Sequence, residues 1–251
     1  MLISVLLGEG DIITKATYLV MYLIAIIFSL SLHEWGHAYA AHINGDDTAR
    51  NMGRMTLNPI AHIDPMGFIL LLVVGFGWAK PVPVNPRNYR NYRKGELMVS
   101  FAGIFMNLML ALIAALIASV LASFDLRAMG YEVTAPFISI VSYGASDTTV
   151  PWQIYQFLYI LGGLNCCLAV FNLIPVYPLD GSHIFELFFG KLVGAKALMW
   201  LHRNGTYILY GLLILSAVLS RVSDFSPIGT AAYWIYDKFC ALFAWLAGLV
   251  F

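Results

Sequence analysis

The sequence predicts an all-α polytopic membrane protein with about five transmembrane helices and a small re-entrant β element. Three observations predict it. Hydrophobic residues make up 60% of the chain and charged residues only 11%, where a soluble domain carries about a quarter charged. The apolar residues fall into runs of about 20, the length a helix needs to cross the hydrocarbon core. Lysine and arginine gather in loops that alternate spans place on one side.

The N-terminal stretch MLISVLLGEGDIITK has no basic residues ahead of its apolar part and no small-x-small cleavage pattern. It is therefore expected to be retained rather than removed as a signal peptide. The first predicted span covers residues 14–41. Residues 66–78, MGFILLLVVGFGW, are apolar but too short to span and are broken by Gly75 and Gly77. Strands tucked into the protein, or another re-entrant piece, fit them better, because irregular backbone at membrane depth survives only where protein or water satisfies it. The second span, 97–123, holds the uninterrupted run LMLALIAALIASVLA. The third is 150–174 and the fourth 206–222. The fifth, 228–251, carries Asp237 and Lys238 mid-way and either spans with these packed inward or lies at the interface. No polar loop is long enough for a soluble domain. Residues 1–251 thus read as one membrane-embedded domain, with a core at 14–204 and C-terminal helices at 205–251.

Ten of the fourteen basic residues lie in the loops after spans one and three: Arg50, Arg54, Lys80, Arg87, Arg90, Arg93, Lys94, Lys191, Lys196 and Arg203. That face is assigned to the cytoplasm of a plasma (inner) membrane. The formal net charge is zero, so nothing points to nucleic acid, and RNYRNYRK beside a span reads as a contact for anionic headgroups of the bilayer. The three cysteines, Cys166, Cys167 and Cys240, lie in apolar runs without disulfide or CxxC spacing and read as packed small side chains.

Chemistry enters at the end of the first span, where SLHEWGHAYA places His33 and His37 four residues apart on one helical face. Two imidazoles so placed can grip a single Zn²⁺, with Glu34 beside the first as general base on its water; a polar helix end at the interface is the alternative for this motif alone. A catalytic site needs a third protein ligand. Asp180 in FNLIPVYPLDGSHIF is the best candidate: it stands at the end of span three, the prolines Pro175 and Pro178 break the helix before it, and Gly181 permits a tight turn. A Pro-Leu-Asp-Gly turn in a loop is the alternative for Asp180 alone. Both motifs exit on the same face. For His42, His62, His183 and His202, solvent or support of a ligand outweighs direct ligation. Asn107 and Asn172 either donate to an oxyanion or satisfy helix carbonyls. In AKPVPVN, residues 79–85, prolines blunt one edge of an extended strand. The other, with the N–H groups of Lys80, Val82 and Val84, is expected to stay able to pair with an unwound substrate; a proline-rich interfacial loop is the alternative.

HEWGH with INGDDTA, GRMTLNPIAHIDPMG, GWAKPVPVNPRNYRN, AGIFMNLMLA and FNLIPVYPLDGSHI together resemble the site-two protease family of intramembrane zinc metalloproteases, in its compact bacterial type without a PDZ domain. The resemblance runs from about residue 31 to 185. It implies one Zn²⁺ per chain on His33, His37 and Asp180, Glu34 as catalytic base, a substrate-binding strand at 80–84, and a transmembrane helix of another membrane protein as substrate. Where the family often reads Ala-Gly-Pro and Asp-Gly-Gly, this chain has Ala102-Gly103-Ile104 and Asp180-Gly181-Ser182. Two other classes compete, a metal transporter and a non-catalytic membrane-protein binder. A transporter would stack further ligands along spans two to five, but spans two and four hold no Asp, Glu or His.

Overall fold

A computed structural model of the chain describes residues 11–74, 77–128, 151–223 and 226–250. The described chain is mostly helical. Its helices, in order, are α1 (Ile12–Ile43), α2 (Thr48–Asn51), α3 (Pro65–Val74), α4 (Tyr92–Ala128), α5 (Trp152–Asn172), α6 (Asp180–Val193), α7 (Ala195–Val222) and α8 (Pro227–Val250), with 3-10 turns at Pro59–His62 and Pro86–Asn88. Three of them, α1, α4 and α5, are long and apolar enough to cross a membrane. The chain is a multi-pass membrane protein. The first ten residues and Gly75, on which two sequence expectations fall, lie outside the described residues.

Local chemistry sets the ends of α1. The Asp11 carboxylate accepts from the Thr14 amide and hydroxyl, 2.8 Å each, an N-terminal cap. At the other end the Asn44 side chain donates to the Ala40 carbonyl, and Gly45 turns the chain at φ 107°, a conformation only glycine adopts without strain. With 32 residues, α1 is about 48 Å long at 1.5 Å per residue. It outruns a hydrocarbon core of about 30 Å.

The β element expected near residues 66–78 is not what the described residues form. Pro65–Val74 is helical, and the only β pairing among described residues is an isolated bridge between Ile63 and Ala79. The Asp64 carboxylate caps the helix by accepting from the Gly67 amide at 2.8 Å, and Pro65 stands first in the helix, where its missing N–H costs nothing. Those start signals outweigh the glycines that suggested strands.

The chain divides into two compact units, each discontinuous in sequence. One holds residues 11–29, 108–128, 151–167 and 231–250 as described. On α4 it buries Ala111, Ala114, Ala115, Ala118 and Ala122, small residues that let helices approach closely where lipid offers no hydrophobic drive. Several of its buried polar groups are paired across helices. The Tyr155 hydroxyl donates to Asp125 at 2.6 Å, the Asn165 amide to the Ser29 hydroxyl and the Leu161 carbonyl at 2.8 Å, and the Tyr236 hydroxyl to the Leu158 carbonyl at 3.0 Å. Cys166 and Cys240 are buried here as free thiols.

The other unit holds residues 30–107 and 168–230 as described. Ala40, Ala41, Tyr89 and Val99 form one small core, and Ala38, Ala49 and Val82 another. Asp46 ties its loops together. One carboxylate oxygen accepts from the Thr48 hydroxyl and the Asn88 amide, the other from the Asn85 N–H at 2.7 Å. Burial pushes the Asp46 carboxyl up, but these donors outweigh it and hold it below the usual carboxylate range. At the far end the Arg93 guanidinium donates to the Leu187 carbonyl of α6.

Candidate metal centre

The end of α1 and the start of α6 supply the site. His33 and His37 stack one turn apart, both buried, with their Nε2 atoms 3.0 Å apart. Asp180 opens α6 after the segment Leu173–Leu179, where Pro175 and Pro178 cannot continue α5. Gly181 is required behind it: a Cβ there would fall 2.3 Å from the Leu173 carbonyl oxygen. The Asp180 Oδ2 lies 3.5 Å from each imidazole Nε2.

Three potential ligand atoms therefore converge, all within 4.8 Å of one another. The Asp180 Oδ2 atom is buried and makes no hydrogen bond, a costly arrangement in a dry protein. A cation resolves it. Ligands about 2.05 Å from a tetrahedral Zn²⁺ lie roughly 3.3 Å apart, and the observed edges of 3.0, 3.5 and 3.5 Å bracket that value. Burial pushes the Asp180 carboxyl up, while His37 and His33 pull it down further and leave it below the ordinary range.

Each imidazole is fixed from behind by α4. The His33 Nδ1 meets the Asn107 side-chain oxygen at 2.7 Å, and the His37 Nδ1 meets the Val99 carbonyl at 2.8 Å. With Nδ1 donating in both, Nε2 keeps its lone pair for a metal. Glu34 is buried beside them, and its Oε2 accepts from the Val82 N–H at 2.8 Å. All four side chains face a cavity of about 530 Å³, within the range of small-molecule and peptide pockets. Its walls are mostly apolar, with Leu30, Trp78, Phe171 and Leu209 among them.

The remaining candidates fall in different places. The Asn172 amide donates to its own helix at the Leu168 carbonyl, 3.0 Å, while lining the cavity. His183 pairs with Glu96 at 3.0 Å, and that carboxylate holds the imidazole above its ordinary range against the pull of burial. His42 pairs with Asp47, His62 with the Thr56 carbonyl and His202 with Glu186. The expected free edge at 80–84 needs correction. The Lys80 N–H donates to the His62 carbonyl and the Val82 N–H to Glu34, while Arg54 donates to the Lys80 and Pro81 carbonyls. The two prolines leave the other N–H groups to pair, but His62 and Glu34, distant in sequence, take those of Lys80 and Val82. Sequence reasoning missed Glu96, the Val99 carbonyl and Gly103. The spacing of four in Val99, Gly103 and Asn107, matching that of His33 and His37, is the signal that could have found the last two.

Residues 21–216 match Peptidase family M50. The chain belongs to this family. It is the site-two protease family that the motifs resemble. Among M50 relatives, the proposed zinc metalloprotease YwhC of Bacillus subtilis is 44% identical over 163 residues, 65% of this chain and 66% of YwhC. The proposed zinc metalloprotease Rip2 of Mycolicibacterium smegmatis is 28% identical over 185 residues, 70% of this chain and 61% of Rip2. The zinc metalloprotease MJ0392 of Methanocaldococcus jannaschii is 23% identical over 225 residues, 87% of this chain and 51% of that protein. The chain thus spans about half to two thirds of the length of the curated relatives it matches. No solved structure matches it. The His-His-Asp donor set fits the zinc that these names carry.

Proposed function

We propose that this M50 chain is an intramembrane zinc endopeptidase that cuts transmembrane segments of other membrane proteins. The observation that carries the reading is the convergence of His33, His37 and the unpaired Asp180 oxygen beside Glu34 in an apolar cavity. Zinc bound there would supply an acidified water and a Lewis acid for the scissile carbonyl. The chain's own part is positional. His33, His37 and Asp180 hold the ion. The Val82 N–H fixes one oxygen of Glu34, and the other stays available to take a proton as general base and return it to the leaving amine. The apolar walls exclude bulk water and strengthen every polar contact inside. Asn172 is the candidate donor to the oxyanion, through the amide hydrogen not spent on Leu168. In the extended segment, Val84 is the position left for substrate pairing. Its side chain lines the cavity, and its N–H has no partner among the described residues.

The wider architecture follows the same reading. The whole chain acts as one membrane-embedded domain. It has five spans, with α7 and α8 as the fourth and fifth. Ten residues of α3 reach about 15 Å, half of a hydrocarbon core, so α3 and the extended backbone after it form a re-entrant element. The excess of lysine and arginine after spans one and three puts the site near the cytoplasmic face of an inner membrane.

The test is cleavage of a single-span membrane protein co-reconstituted in lipid vesicles, run with wild type and Glu34→Gln. Gln keeps an oxygen for the Val82 N–H but cannot take a proton. Cleavage should fall by roughly 10²- to 10⁴-fold with zinc content unchanged. Equal cleavage by both proteins would overturn Glu34 as the base. Capture of the membrane protein without cleavage by wild type would favour a non-catalytic binder.

A further inference from the structure

The residues behind the ligands form a pattern of their own. Val99, Gly103 and Asn107 stand four apart on α4 and so share one face. Val99 holds His37 and Asn107 holds His33. Gly103 lies between them in sequence, directly against both imidazoles. A Cβ placed on it would sit 2.4 Å from His33 Cε1, 2.5 Å from His37 Nε2 and 2.7 Å from His33 Nδ1. Ordinary van der Waals contact begins at 3.4 Å, so one methyl group collides with both imidazoles at once. Neither ring can retreat. Each is tied through Nδ1 to α4 itself, and both are buried.

We propose that Val99, Gly103 and Asn107 form a single templating stripe that sets the tautomer and the spacing of both histidines, with Gly103 as the positioning residue of the metal centre. The stripe does two separable things. Its acceptors, one backbone and one side-chain oxygen, hold the Nδ1 protons and leave both Nε2 atoms to ligate. Its gap, the missing side chain at 103, lets the two rings lie edge to face at 4.6 Å between centroids. This inference rests on the metal reading of the site, and its test separates the two.

Gly36 on α1 supplies the comparison. It faces the same stretch of α4, but a Cβ there would meet the flexible Met106 side chain and the Ala102 backbone, not the imidazoles. The experiment purifies wild type, Gly103→Ala, Gly36→Ala and Asn107→Ala in detergent. It measures zinc per chain, zinc affinity by chelator competition and the visible spectrum of the Co²⁺-substituted protein. Co²⁺ reports ligand number and symmetry, which a general loss of packing leaves alone. Gly103→Ala should lose zinc affinity by at least a hundredfold and lose the Co²⁺ spectrum of wild type. Asn107→Ala should weaken binding by about 10- to 100-fold, the usual effect of removing a partner behind a ligand. Gly36→Ala should bind as wild type does. Wild-type affinity and an unaltered Co²⁺ spectrum in Gly103→Ala would overturn the proposal. If Gly103→Ala does not yield monodisperse protein, Asn107→Ala decides, and wild-type behaviour there overturns the stripe. A wild type that binds no zinc would sink the metal reading itself, and the stripe with it.

Discussion

Two clusters of buried polar groups, one in each compact unit, are treated in opposite ways. In one unit, Asp125, Tyr155, Asn165 and Ser29 each have a partner on a neighbouring helix or on their own helix backbone. In the unit with His33, His37 and Asp180, three ligand atoms point at one another and the Asp180 oxygen has no hydrogen bond. Both sets lie on or beside apolar helices where water is scarce. Paired polar groups lock helices together. Converging unpaired ones are costly until something else arrives, and that is how a site differs from a core.

The sharpest way to break this contrast is Asp180→Ala. Wild type should carry about one zinc per chain and the variant almost none, with the helical circular dichroism of both alike. Retained zinc would remove Asp180 from the ligand set. Tyr155→Phe is the mirror experiment. It removes one donor to Asp125 and should cost about 0.5–1.5 kcal/mol, read as earlier unfolding in detergent on heating, while zinc content stays at the wild-type level. A change in zinc with no change in stability would dissolve the contrast. The smallest effect belongs to Asp46. Its carboxyl is held below the ordinary range, so its contribution to stability is complete above the unfolded-state value near 3.9 and disappears as pH falls through the lower folded value. Asp46→Asn should therefore reduce stability at neutral pH and flatten its decline in acid. An acid limb as steep as that of wild type would assign that decline to other carboxylates.

Much of the helical architecture is legible in the sequence, because apolar runs and span length are local signals. The observed α1 and α4 extend the first two predicted spans by a few residues, such as Tyr92 and Arg93 at the start of α4, and α5 falls just inside the third. That His33, His37 and Asp180 would come together was also legible, since helix spacing and span direction both bear on it. What connects distant residues was not. The Glu34–Val82, His37–Val99 and His33–Asn107 contacts join positions 48, 62 and 74 apart, and no periodicity encodes such pairings. Two involve backbone atoms, which carry no residue signature. The helix at Pro65–Val74 escapes the sequence for the opposite reason. Gly75 and Gly77 read as breakers and mask the Asp64–Pro65 start signal.

Several parts of the site come from the main chain. The Val99 carbonyl steers His37, and the Val82 amide steers Glu34. Any residue except proline at 82 brings the same N–H, and any residue at 99 the same carbonyl. Those positions should tolerate wide exchange under saturation mutagenesis, limited by bulk alone. Position 103 contributes emptiness, which every other amino acid destroys, and position 107 contributes one oxygen on one short side chain. Mutational fragility in this candidate metal centre is thus concentrated where the backbone cannot substitute for a side chain, or where the side chain must be nothing at all.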